Sequence, residues 1–170
     1  MNPFDVKCAL KSMVILWDTR EQPTARAHRR MKQIGAPIER VALSFGDYST
    51  KCDKLDLRNS VAIERKMDLS ELARCYCQDR KRFVREFERA KEAGAKLYLL
   101  IENGSLDDAY SGHYRAKVHP TSLTASMLAW LARYDCQILF CSPLNTGRLI
   151  HDVLYRELKE RLEAMPDEAV

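Results

Sequence analysis

The chain has no run near the roughly 20 consecutive apolar residues that a bilayer-spanning helix requires. Its opening segment, MNPFDVKCAL, carries Asp5 and Lys7 where a secretory signal would be apolar. A soluble protein without a membrane partner is expected, cytoplasmic in a bacterium or phage-infected cell or otherwise intracellular. Glycine and proline are scarce, six of each among 170 residues, so no linker or low-complexity tract interrupts the chain. Neither GxxxxGK[S/T] nor GxGxxG occurs, which argues against a small-molecule nucleotide hydrolase or transferase built on a phosphate-cradling loop. Cysteine is present six times, at 8, 52, 75, 77, 136 and 141, yet the spacings fit no zinc knuckle or disulfide framework. Ordinary reduced thiols are expected, with Cys136 and Cys141 on opposite faces of one strand.

What is present suits one compact domain: 46% of the residues are hydrophobic, enough for a core of its own. Apolar runs alternate with helical patterns. MVILWD, SVAIERK, KLYLLIE and CQILFC read as strands, the last two apolar enough to be buried on both faces. IERVALSFGDYST reads as a strand pair or one strand bent around Gly46. Helical periodicity marks TARAHRRMKQIG, the stretch 69–94, the segment 121–134 after Pro120, and a last helix from Thr146 to about Ala164. The alternation predicts an α/β fold, a central mixed, partly parallel sheet with helices on both faces.

Net charge is only +4, which permits a polyanionic partner without requiring one. Its distribution is more informative. Arg26, His28, Arg29, Arg30, Lys32 and Arg40 form one basic group, and Arg74, Arg80, Lys81, Arg82, Arg85, Arg89 and Lys91 another. Each also suits a solvated helix face, the more so where Glu86, Glu88 and Glu92 interleave. The long loop ENGSLDDAYSGHYRAKVHP adds Arg115 and Lys117 beside Tyr110 and Tyr114, a composition able to hold phosphates and stack on bases.

The charged end of SVAIERK needs a reason, because burying unpaired charge costs several kcal/mol. Strand alternation puts Val61, Ile63 and Arg65 on one face and Ala62, Glu64 and Lys66 on the other, with Glu64 and Lys66 about 7 Å apart at the backbone. A carboxylate that holds a divalent cation beside an ammonium that steadies an attacking water, or charge on a phosphorane-like transition state, is a hydrolytic arrangement. Asp47 of FGDYS reaches Glu64 if the two strands form a hairpin, and LWDTREQ supplies Asp18 and Glu21 at a strand end. Asp47, Glu64 and Asp18 would then make an oxygen cage for Mg2+ or Mn2+. Each residue also has a plain structural role open to it: turn chemistry for Asp18 and Asp47, and an exposed salt bridge for Glu64 with Lys66.

FGDYS followed by IERK resembles the G-D…E-R-K signature of XPF-type structure-specific endonucleases, and LWDTREQ resembles the D-x-R-E segment that precedes it there. An Asp followed by Glu-x-Lys is also the pattern of the wider PD-(D/E)XK nuclease superfamily. The resemblance spans Met13 to Cys141. It implies a restriction-endonuclease-like core and metal-dependent hydrolysis of DNA at branched, flap or junction structures, as in DNA repair and recombination. By position it makes Asp47 and Glu64 metal ligands, Asp18 a further acidic site residue and Lys66 the catalytic lysine, with Arg65 bracing the site by pairing with Glu21. Arg74, Arg80 and Arg82, directly after the active strand, become candidates to contact DNA phosphates, with Arg115 and Lys117.

Two departures accompany the resemblance. The family carries an aspartate four residues after the lysine; here that place is Ser70, flanked by Asp68 and Glu71, which read as a capping box opening the next helix. Many relatives also append a tandem helix-hairpin-helix module, and the segment after Pro143 is too short for one. Affinity for DNA would come from this domain, from a homodimer or from a nuclease partner subunit. The expected layout is an extension over 1–12, a nuclease domain over 13–145 and a C-terminal helix over 146–170 packed on the same domain. The alternative is a non-catalytic nuclease-fold module that binds DNA or partners an active subunit.

Overall fold

The computed structural model describes residues 1–166. The apolar run Val14–Asp18 forms β1, buried over four of its five residues. Ile38–Val41 (β2) lies parallel to it on one side, and Tyr48–Lys51 (β3) lies antiparallel on the other. The strand pair expected around Gly46 therefore forms, but β1 separates its two members. Val61–Lys66 (β4) pairs antiparallel with β3, and Lys96–Glu102 (β5) and Gln137–Cys141 (β6) continue the sheet in parallel. The resulting order, β2-β1-β3-β4-β5-β6, is the mixed sheet that the alternating pattern predicts.

Helices cover both faces. Pro3–Lys11 (α1), Ala25–Ile34 (α2) and Thr146–Ala164 (α7) pack on one side, where Ile150, Leu154, Leu158 and Leu162 of α7 meet Ile15, Tyr48, Val61 and Ile63 of the sheet. On the other side, Leu69–Cys77 (α3), Arg80–Glu92 (α4) and Pro120–Tyr134 (α6) lay Leu72, Phe83, Phe87 and Trp130 over Ala62, Leu97, Leu99 and Ile101. Each buried Val, Leu, Ile or Phe side chain among them contributes roughly 1.5–3 kcal/mol by leaving water. Phe83, Phe87 and Trp130 also form a ring cluster with centroid separations of 5.0, 5.2 and 5.7 Å, placing Trp130 in the core.

Local signals set the helix limits. Thr24 accepts from the Ala27 amide at the start of α2, and Gly35, at φ +67°, ends it. Asp68 accepts from the Glu71 amide while the Glu71 carboxylate accepts from the Met67 amide, so these two acids do build the cap of α3. The single helical stretch expected over 69–94 breaks at Gln78 and Asp79, between α3 and α4. Two helices were not anticipated: α1, started by Asn2 and Pro3, and Leu106–Ser111 (α5), started by Ser105 inside the long loop. Val6 and Ala9 of α1 are buried in the same core as α7. The end of the expected C-terminal segment, 167–170, lies outside the described residues. The six cysteines are free thiols, and among the described residues no helix is long and apolar enough to cross a membrane.

Candidate active site

β4 is the third strand from the sheet's β6 edge and is covered on both faces, so its charged end is enclosed. Glu64 and Lys66, on the α3–α4 face, are 6% and 8% exposed, and the Lys66 ammonium donates to Glu64 Oε1 at 2.5 Å. The Phe83 ring lies beneath that ammonium, 5.1 Å from nitrogen to centroid. Burial disfavours the charge on Lys66, but the Glu64 and Asp47 carboxylates outweigh it and hold its pKa above the ordinary lysine value.

Asp47 arrives from the neighbouring turn. Gly46, at φ +69°, packs so closely on β4 that a Cβ there would stand 2.7 Å from the Ala62 Cβ. This approach lets the Asp47 amide donate to the Ile63 carbonyl at 2.8 Å, and the Arg65 amide donate to Asp47 Oδ2 at 2.7 Å. Burial, then the neighbouring Glu64 and Glu21 carboxylates, push Asp47 well above the usual carboxylate range. Asp47, Glu64 and Lys66 line one cleft of about 220 Å³, joined by Glu21, Asp79 and Glu86 and by the cations Arg20 and Arg82.

Asp18 has a different place. It is 1% exposed, and both its oxygens are occupied: Oδ1 accepts from the Arg20 amide and Nε, Oδ2 from the Leu43 amide and Arg20 Nη2, at 2.7–3.2 Å. Burial opposes its charge, yet the Arg20 and Leu43 donors hold its pKa below the ordinary value. Asp18 does not line the cleft. It buttresses the turn and aims Arg20, whose Nη1 lies 3.5 Å from Glu86 Oε1.

Arg65 points to the opposite face, as strand alternation requires. Its Nη2 is 4.0 Å from Glu21 Oε2, at the limit of an ion pair, while its Nη1 is nearer to Glu102 Oε1, at 3.4 Å. Arg30 completes the group, 3.4 Å from Glu21 and 3.6 Å from Glu102, and donates through Nε to the Tyr48 hydroxyl at 2.8 Å. Sequence reasoning found Arg65 and Glu21 but missed Glu102, Arg30, Arg20 and Asp79. A signal existed for Glu102, which closes the apolar KLYLLIE as Glu64 nearly closes SVAIERK, and parallel pairing puts both at the same end of the sheet. Of the expected DNA contacts, Arg82 lines the cleft and Arg80 stacks over Tyr76. Arg74 and Arg115, from distant segments, line a second pocket with Ser70 and Asp68. Lys117 is exposed in the loop.

The cleft's donors suit a hard cation. Asp47 and Glu64 present oxygen only, and Asp47 is crowded by like charge that a divalent ion would relieve. Among the described residues no three His, Cys, Asp or Glu side chains converge closely enough to hold an ion by themselves. Two carboxylates with water completing the shell is the usual manner of Mg2+.

This sheet, with an acid at the β3 turn and a Glu-x-Lys on β4, defines an XPF-type nuclease domain. The ERCC4 domain family model matches residues 17–152, and the chain belongs to that family. XPF from Aeropyrum pernix has the same fold, with a TM-score of 0.63 and 19% identity over 88% of this chain and 69% of that one. XPF from Aeropyrum pernix in complex with DNA gives a TM-score of 0.60 at 20% identity, over 92% of this chain and 68% of that one. No curated protein matches.

Proposed function

We propose that this chain is a divalent-metal-dependent endonuclease that hydrolyses phosphodiester bonds of DNA at branched, flap or junction structures. The observation that carries the reading is the meeting of Asp47, Glu64 and Lys66, from two segments, in one cleft. That one similar structure is a complex with DNA supports the choice of polymer. Asp47 and Glu64 would hold Mg2+ or Mn2+, which when bound supplies Lewis-acid stabilisation of charge on the phosphate. Lys66, whose pKa the Glu64 and Asp47 carboxylates hold above the ordinary lysine value, would offset charge on the phosphate or steady the attacking water. One of its three donors is spent on Glu64, leaving two for a phosphate oxygen or the attacking water. Arg82 and Arg20 on the cleft wall offset the charge of the incoming backbone. Action on DNA places the protein inside the cell, and a second copy or a nuclease partner subunit would extend its binding surface.

A non-catalytic DNA-binding module is the second reading, favoured by Ser70 at the place of the family's aspartate and by the absence of a three-ligand cluster among the described residues. Labelled flap, fork, Holliday-junction and duplex DNA, incubated with Mg2+, Mn2+ or EDTA, separate the two. Metal-dependent cutting of branched DNA, lost in Glu64→Ala and Lys66→Ala, is expected. Tight binding without cutting in either metal would establish the non-catalytic reading instead.

A further inference from the structure

We infer that Ser70, Arg74 and Arg115 form a second, non-catalytic phosphate subsite, which grips the DNA backbone a nucleotide or two from the cleft and exists because position 70 is not an acid. The inference rests on DNA being the ligand and goes beyond it by naming a residue set that no catalytic role requires. Two segments far apart in the chain build the pocket. Ser70 and Arg74 lie one turn apart on α3, and Arg115 comes from the long loop, pinned there by its own amide, which donates to Ser70 Oγ at 2.8 Å. The pocket is open, about 520 Å³, and its remaining wall is Asp68.

The charge state favours an anion. Neither the Arg74 nor the Arg115 guanidinium has an ion-pair partner among the described residues, and both side chains are exposed. Asp68 is already committed to the helix cap through Oδ1, so two free cations face one engaged carboxylate. Ser70 accepts the Arg115 amide, which leaves its hydroxyl hydrogen free to donate to a phosphate oxygen. Ser70 is four positions after Lys66, at most about 14 Å of chain, a span that one or two nucleotides of a single strand cover. A single stretch of backbone can therefore occupy the cleft and this pocket together.

The position of Ser70 makes the idea testable with little risk to the fold. An aspartate there would accept the Arg115 amide as the hydroxyl does, so the loop stays docked, but it would pair with both arginines and cancel the pocket's excess charge. The experiment is fluorescence anisotropy of flap and duplex DNA, in EDTA, across a salt series, for the wild type, Arg74→Ala, Arg115→Ala, the double variant, Ser70→Asp, and Arg156→Ala on the far helix as control. One phosphate contact is worth a change of about 0.9 in the slope of log K against log salt. A loss of about one unit in each single variant, no further loss in the double, and the same loss in Ser70→Asp are expected, with Arg156→Ala unchanged. Slopes equal to the wild type in the arginine variants, or an undiminished slope in Ser70→Asp, overturn the subsite while leaving the endonuclease reading intact. A wild type that binds no DNA at any salt sinks that reading first, and this one with it.

Discussion

Gly46 offers a test of how the site is assembled. Alanine there meets two obstacles. The left-handed φ of +69° costs a non-glycine residue roughly 1–2 kcal/mol. Its Cβ would also stand 2.7 Å from the Ala62 Cβ and 3.2 Å from the Ile63 carbonyl oxygen, and overpacking of this kind costs typically 1–3 kcal/mol. Gly46→Ala should therefore lose about 2–5 kcal/mol by urea unfolding, a fall in Tm of about 4–20 °C for a chain of this size. A double-mutant cycle with Ala62→Gly divides the loss, because removing the opposing methyl relieves the closest contact and leaves the backbone strain. A coupling of about 1–3 kcal/mol is expected. Gly46→Asn gives a cross-check, since asparagine tolerates the left-handed φ yet carries the same Cβ. If the two alanine–glycine changes are additive within about 0.5 kcal/mol, the close approach of this turn to β4 is refuted, and with it the account of how Asp47 reaches Glu64.

Two further outcomes follow from the charges. Asp47→Asn keeps an acceptor for the Arg65 amide but removes one of the crowded acids, so in EDTA it should be more stable than the wild type by a few degrees in Tm. Because the folded pKa of Asp47 is raised, that advantage grows as pH rises above about 4 and vanishes below it; a Tm gain independent of pH would contradict the crowding. Glu157 on α7 presents the opposite sign. Burial opposes its charge, but donation from Lys96 at 2.8 Å, from the Tyr98 hydroxyl and from Arg161 holds its pKa below the ordinary value. Glu157→Gln should lose about 1–3 kcal/mol at pH 7, and the gap should close as pH falls through the depressed pKa; a constant gap down to pH 2, read by urea unfolding, would show that charge plays no part.

The fold was legible where one period dominated. The strands MVILWD, SVAIERK and KLYLLIE, the stop of α2 at Gly35 and the cap at Asp68 follow from short-range rules that the sequence carries in full. The helix α1 was not legible, because only Val6 and Ala9 of its nine residues are buried and its amphipathic stripe is correspondingly faint. The break at Asp79 escaped for the converse reason: periodicity persists through it, and no proline or glycine marks the turn. Within the site, alternation placed Glu64, Arg65 and Lys66 on their faces. Glu102, the partner of Arg65, and Arg30, which pairs with the same carboxylate, are brought there by strand order and helix packing, which no local pattern encodes. Asp18 shows the limit most plainly, since the side chain was visible as an acid at a strand end but its claim by Arg20 and Leu43 was not.

The charges at the end of β4 make sense together only when both faces of the strand are considered. Glu64 and Lys66 neutralise each other toward the cleft, while Arg65 goes the other way into a buried group with Glu102, Glu21 and Arg30. That group is costly, since Arg65 Nε and Nη1 and Glu102 Oε2 have no hydrogen-bond partner among the described residues, and well-packed apolar side chains are often as stable in such a place. Its placement accounts for its presence. The Arg65 amide donates to Asp47 at 2.7 Å, so whatever fixes the Arg65 backbone also fixes the carboxylate that would hold the cation. Glu21 belongs to both sides: it lines the cleft, raises the pKa of Asp47 and pairs with Arg30. The six residues of β4 thus carry the candidate chemistry on one face and its alignment on the other, and the ionic group behind the sheet spends stability to keep two carboxylates from drifting apart.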